Sequence, residues 1–330
     1  MKKTFFFLLL FLLLMFESGS GNSKDGSLFN QNKKNDQLVQ FLTVGTLEDD
    51  LLFQWVGVTV DQFGNIFVTD SLDYSLKKFS SDGNLLKKRG GRGQGPGEFM
   101  APRLLDASKN YLYVTDHLVS GIQVFDQDLQ FVRRIPIQFP ITDLCVLEDD
   151  NIAVAPLMVN RPSRICFYND TGKIYRVLII GQDSEGLIMD QFSFVIDDHS
   201  NVYVVYTFQD KIEKYDAEGS QVWSTKLLGI KDVNKEKISG LILPTEIVYK
   251  EVDLDSRGNI YILGGSFSVN PSRDVYVLSP EGIQTSTLTL PDTSHCIYID
   301  KQDFLYSRAN EGVTLKKFKM SYRFNEKKSN

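Results

Sequence analysis

Cysteine, histidine and tryptophan are scarce in this 330-residue chain, with three, three and two residues respectively. Cys145, Cys166 and Cys296 exclude a disulfide framework, because at most one pair can close. Cys145 and Cys166 fall in one repeat and are the better candidates if a pair closes; the preferred reading is that all three are buried apolar side chains. The sequence has no Gly-x-Ser-x-Gly elbow, so nothing marks a hydrolase serine. Clustered basic surface is missing too. Its lysine pairs (Lys33-Lys34, Lys77-Lys78, Lys87-Lys88, Lys316-Lys317) are dispersed, and 42 acidic residues outnumber 36 basic ones. A nucleic-acid partner, which needs a concentrated basic footprint, is therefore not expected. Helical periodicity with caps is nearly absent; residues 231–243 are the one stretch that reads as a short helix.

The first twenty residues have the pattern of a targeting signal. Lys2 and Lys3 precede twelve apolar residues, Phe5–Phe16, and Ser18-Gly19-Ser20 supplies small residues for cleavage. A spanning helix wants about 20 apolar residues, so a cleaved secretory signal fits better than an anchor. No cysteine follows it to carry a lipid. Removing residues 1–20 takes out two lysines and one glutamate. That leaves 34 basic against 41 acidic residues, a net charge of −7, on an exported, periplasmic or extracellular protein with no membrane span of its own. Residues 21–35 read as a flexible segment, 36–324 as one folded unit and 325–330 as a polar tail.

Within that unit one pattern recurs six times. An alternating strand runs into an Asp-rich turn, a second strand of the "N-I-F-V" type follows, then a strand ending in an aromatic, then a second polar turn. The turn residues Asn65, Asn110, Asn151, Asn201, Asn259 and Asp303 are spaced by 45, 41, 50, 58 and 44 residues. A period in the forties with four short strands per unit predicts propeller blades. The expected fold is all-β: a six-bladed β-propeller of four-stranded antiparallel blades. The strand-like segment 36–45 completes the last blade, which otherwise runs out near Phe324. "RGGRGQGPGEF", residues 89–99, looks at first like a phosphate cradle. No Gly-x-Gly-x-x-Gly or Gly-Lys-Ser/Thr register exists in it, and Pro102 and a strand follow instead of a helix. It reads as the crossing between two blades, with Phe99 buried between them.

The stretch "GGRGQGPGEFMAPRLLDASKNYLYVTDHLVSGIQVF" resembles the NHL-type repeat. The first two repeats match it well; the later four match in turns and aromatics, with Ala155-Pro156 replacing Thr-Asp and Gly264-Gly265 interrupting the fifth. The resemblance implies the topology of exported bacterial six-bladed propellers. Each blade's first strand then lines the central channel, and the inter-blade loops share one face with the loops after "YVTD".

On that topology the channel-mouth candidates are Trp55, Arg103, Asp143, Gln191, Glu251 and His295, with His117 and Arg92 on the adjoining loop face. Strand alternation turns about half of the strand residues away from the channel. His199 lies in a turn on the opposite face, so a three-histidine zinc site is excluded. Calcium would need six or more oxygen ligands; Asp143 and Glu251 are available, but no motif specifies the ion and no cofactor is expected. The function that fits is a monomeric binding module for a protein, peptide or glycan, with Trp55, Arg103 and Tyr249 as residue types common at hot spots. The alternative is a metal-dependent lyase or hydrolase at the channel mouth.

Overall fold

The structure, a computed structural model, describes residues 37–157, 162–181, 189–238, 241–265 and 273–321. The leader at 1–20, the segment at 21–35 and the tail at 325–330 lie outside the described residues.

Six four-stranded antiparallel blades form the fold. Blades 1 to 5 span 55–90, 102–135, 141–179, 192–225 and 249–289. Blade 6 takes three strands from 297–321 and its outer strand, Gln37–Val44, from the other end of the folded chain. Gln37–Val44 runs antiparallel to Thr314–Ser321, with Leu38 opposite Met320 and Val44 opposite Leu315. The ring is therefore closed by non-covalent pairing of its two ends.

The recurring Asp and Asn are the turns that close each blade's first hairpin. Asp61 Oδ1 accepts the N–H groups of Phe63 and Asn65, while Asn65 Nδ2 donates to Asp61 Oδ2 at 2.7 Å. The same Asx geometry repeats at Asp197 with Asn201 and at Asp255 with Asn259. At the opposite end of the second strand, the "Thr-Asp" pair fastens the chain where it enters the inner strand of the same blade. Asp116 accepts from the Met100 and Ala101 amides, and Thr115 Oγ1 from Leu104 N. These two devices explain why so short a motif sets the register of a whole blade.

The glycine-rich stretch is a blade crossing. Gly90 has φ +137°, and a Cβ there would lie 2.3 Å from the Tyr74 carbonyl oxygen, so only glycine fits. Phe99 ends fully buried among Phe67, Leu76 and Phe125 of blades 1 and 2.

One expectation needs correction. Residues 231–243 hold a β-hairpin, Lys235–Ile238 paired with Leu241–Pro244, inserted between blades 4 and 5. Its presence accounts for the long 58-residue spacing. The strands are separated by two residues, Ser239-Gly240, which is a hairpin-turn dipeptide in the sequence. Cys145 and Cys166 do not pair, and all three cysteines are free. Cys145 lies opposite Ala153 and Cys166 opposite Val154, so the second strand of blade 3 separates them. No helix among the described residues is long and apolar enough to cross a membrane.

Candidate functional site

The six inner strands surround an axial channel, and its mouth lies on the face of the inter-blade loops. A cavity of about 200 Å³ opens there. Every blade contributes to it: Val56, Arg103, Thr142, Gln191, Lys250 and His295 each come from a different one.

A backbone irregularity at the start of the inner strands shapes this mouth. In blades 1, 3 and 5 the pairing with the second strand skips one residue: Val56, Thr142 and Lys250 respectively. In blade 2 Arg103 and Leu104 together span the shift. Such a bulge re-aims a side chain that strict alternation would turn away. Consecutive residues such as Lys250 and Glu251 both line the cavity as a result.

The structure gathers Arg103, His117, Asp143, Gln191, Glu251 and His295 around this cavity. It does not bring in Trp55, Tyr249 or Arg92. Trp55 is fully buried and donates its Nε1–H to the Thr314 carbonyl, locking blade 1 to blade 6. Tyr249 is equally buried, with its hydroxyl donating to Asp210. Both lie one residue before the bulge, on the side of the strand that packs into the body of the ring. Arg92 is exposed in the crossing loop, 5.7 Å above the Tyr74 ring, where that loop folds back on itself.

Lys250, Arg308, Asp106 and Asp253 complete the constellation. Arg103 Nη1 lies 2.6 Å from His117 Nε2, and Lys250 Nζ lies 3.0 Å from His295 Nδ1. Arginine and lysine cations only donate, so each ring nitrogen accepts and both imidazoles are neutral. Burial and then Arg103 push His117 down to about 3. Burial, followed by Lys250 and Arg308, does the same to His295. Burial also lowers Lys250 to about 8.

Below this basic tier lie four carboxylates, each clasping the next blade. Asp106 accepts from Val146 N, Asp143 from Phe194 N, Glu251 from Ile297 N and Asp253 from Ile299 N. Burial raises all four, taking Asp106 and Asp253 to about 7. Asp106 and Asp253 are legible in retrospect: each is the penultimate residue of its inner strand, in the same layer as Tyr298. Among the described residues no group of three or more His, Cys, Asp or Glu side chains is placed to hold a metal ion.

The raised carboxylates carry a pH consequence. A carboxyl whose folded pKa exceeds its unfolded value stabilises the fold below the unfolded value, near 4, and loses that contribution as pH rises through the folded value. Asp253→Asn removes one such slope between pH 4 and 7. The stability difference between variant and parent is expected to move in the variant's favour by about 2 kcal/mol between pH 5 and pH 8. Urea melts at the two pH values check it; an identical difference at both would show that Asp253 is ionised throughout.

Comparison with known proteins places the fold. A family model described as a 6-bladed beta-propeller (DUF5128) matches residues 28–174. No curated protein matches the chain. A solved structure of a member of the DUF4221 family from Bacteroides vulgatus aligns with a TM-score of 0.60 at 13% identity, over 88% of this chain and 99% of that one. The virginiamycin B lyase of Staphylococcus aureus aligns with a TM-score of 0.56 at 11% identity, over 86% of this chain and 100% of that one. The WD40 beta propeller domain of Doa1 follows with 0.52 at 11% identity, over 86% and 97%. At such identities the likeness is one of architecture, shared by a lyase and a WD40 domain alike.

Proposed function

We propose that this chain is an exported, monomeric binding module of NHL-like repeats that takes part of a protein, peptide or glycan ligand into the channel mouth. The observation that supports this is the cavity to which all six blades contribute, where apolar side chains alternate with a larger number of polar and charged ones. The glycine-rich crossing at residues 89–99 and the "FVTD" and "YVTD" strands of the first two repeats support the NHL-like assignment, and the leader pattern of residues 1–20 supports export.

A crystallographic soak with a chemically mixed fragment set tests the reading. Fragments are expected to collect at the mouth, in contact with at least two of Arg103, Thr142, Gln191 and Lys250. Fragments scattered over the disc, with the mouth holding only water, would remove the basis for placing a ligand there.

A further inference from the structure

We propose that Lys250 is a nucleophilic amine that captures an aldehyde or ketone ligand at the mouth as a reversible imine. The inference rests on the binding reading above and adds a covalent bond to it.

The fully buried lysines of this fold keep a carboxylate. Lys77 Nζ has Asp70 and Asp73 at 2.8 Å, and Lys317 Nζ has Asp300 at 3.7 Å. Lys250 does not. Among the described residues no carboxylate oxygen lies within 4.0 Å of its Nζ, whose hydrogen-bond partner is His295 Nδ1 at 3.0 Å. Asp143 and Glu251 line the same cavity, but they hold the Phe194 and Ile297 amides, and the cation that acts on both is Arg103.

The bulge of blade 5 brings this amine to the cavity. Tyr249 pairs with Gly264 and Glu251 with Leu263, so Lys250 is the extra residue whose side chain the irregularity re-aims. Three groups from blade 6 and its entry meet it there. They are the neutral imidazole of His295, the Cys296 thiol, which burial keeps protonated, and the Arg308 guanidinium. Burial is the main influence that disfavours the ammonium, and Arg308 adds to it; Cys296 would favour the ammonium only as a thiolate. Desolvation beside a second cation is one of the ways in which a lysine amine is activated as a nucleophile.

With its pKa lowered to about 8, roughly a tenth of the amine is free base at pH 7, against on the order of one in a few thousand for an ordinary lysine. The neutral amine donates one N–H to His295 Nδ1 and keeps its lone pair for the ligand. That pair forms a C–N bond to the carbonyl carbon, and the carbonyl oxygen takes a proton to give a carbinolamine. Loss of the hydroxyl as water, with the remaining protons of the attacking nitrogen released, leaves the imine. Amine and carbonyl go to imine and water, with no oxidant or reductant, and hydrolysis reverses the step.

Reductive trapping on the full folded chain tests this. Benzaldehyde presents the carbonyl on an apolar body, and glyceraldehyde presents it as an open-chain sugar does. Each is added with cyanoborohydride near pH 7, and peptide mass mapping follows each lysine. Lys301, whose side chain is 91% exposed, is the internal reference. With at least one probe Lys250 is expected to be labelled about tenfold or more faster than Lys301, because the lower basicity takes back part of the gain in free base; the better probe identifies the source of the carbonyl. In concentrated urea the lead should vanish. Lys250→Arg should abolish the fast label and leave that of Lys301 unchanged. Labelling of Lys250 no faster than Lys301 with both probes, or a lead that survives urea, would overturn the proposal. The ratio is read within the unmodified chain, so it holds even if Lys250→Arg fails to fold. Fragments at the mouth without fast labelling of Lys250 would refute this inference alone; an empty mouth in the fragment soak would refute the binding reading beneath it.

Discussion

A chain that starts at Thr46 is expected to melt on the order of 10 °C below one that starts at Asn35. The missing segment is the outer strand of blade 6, Gln37–Val44, whose ladder to Thr314–Ser321 is the ring's only non-consecutive blade pairing among the described residues. Val44 is 2% exposed, and Leu38 and Leu42 are partly buried against the inter-blade clusters. Uncovering one fully and two half-buried aliphatic side chains costs about 4–6 kcal/mol at ordinary transfer values. Spread over a fold of this size, that shifts the midpoint by roughly 2 °C per kcal/mol. Loss of the strand also leaves Thr314–Ser321 as an open edge, which invites pairing between molecules. Two measurements check the account: differential scanning calorimetry of the two chains, and rescue of the shorter one by a synthetic peptide of residues 35–45. A midpoint within about 2 °C of the parent would mean that the ring does not depend on its N-terminal strand.

The ends of the chain were legible because a repeat that runs out must be completed by something strand-like, and residues 36–45 alternate as a strand does. The blades were legible for a similar reason. Asp61, Asp197 and Asp255 each carry out the same hydrogen bonding to the amides two and four residues on, so a local requirement leaves a periodic trace. The mouth was only partly legible. Arg103, Asp143, Gln191, Glu251 and His295 follow from their place at the start of an inner strand, but which neighbours join them depends on the bulge. A register shift has no residue signature, so Lys250 was missed beside Glu251, and Trp55 was included although it faces the seam between blades 1 and 6. Residues 231–243 read as helix because Lys235-Glu236-Lys237 are good helix formers, whereas in the fold these residues pair with Leu241–Pro244 as a hairpin.

Asp70→Ala is expected to be among the most destabilising single substitutions in the chain, costing about 3–5 kcal/mol. Asp70 ends the second strand of blade 1 and is fully buried. Its Oδ2 accepts from Phe53 N and from Lys77 Nζ at 2.8 Å; its Oδ1 accepts from Gln54 N and Asp73 N. Lys77 is itself 1% exposed, so removing the carboxylate strands a buried ammonium with Asp73 and the Leu51 carbonyl as its remaining partners. Both carboxylate oxygens are surrounded by donors. Asn is therefore no rescue: whichever way its amide turns, the NH₂ group meets a backbone N–H, and Asp70→Asn should lose nearly as much as Ala. Lys77→Met should cost less than either, because it removes the charge that needs the partner, and combined with Asp70→Asn it should recover about 1–2 kcal/mol relative to the sum of the two. Urea unfolding of the four chains gives the cycle. Additive losses would assign the role of Asp70 to the backbone amides alone, and a loss under about 1 kcal/mol for Asp70→Ala would show that the Asp73 carboxylate suffices for Lys77. The contrast with Asp116 sharpens the test. It holds the corresponding amides of Met100 and Ala101 in blade 2, but Gln123 occupies the position equivalent to Lys77 and donates to the Glu98 carbonyl instead. Asp116→Ala thus removes the amide contacts without stranding a cation, and the excess cost at Asp70 measures the buried ion pair.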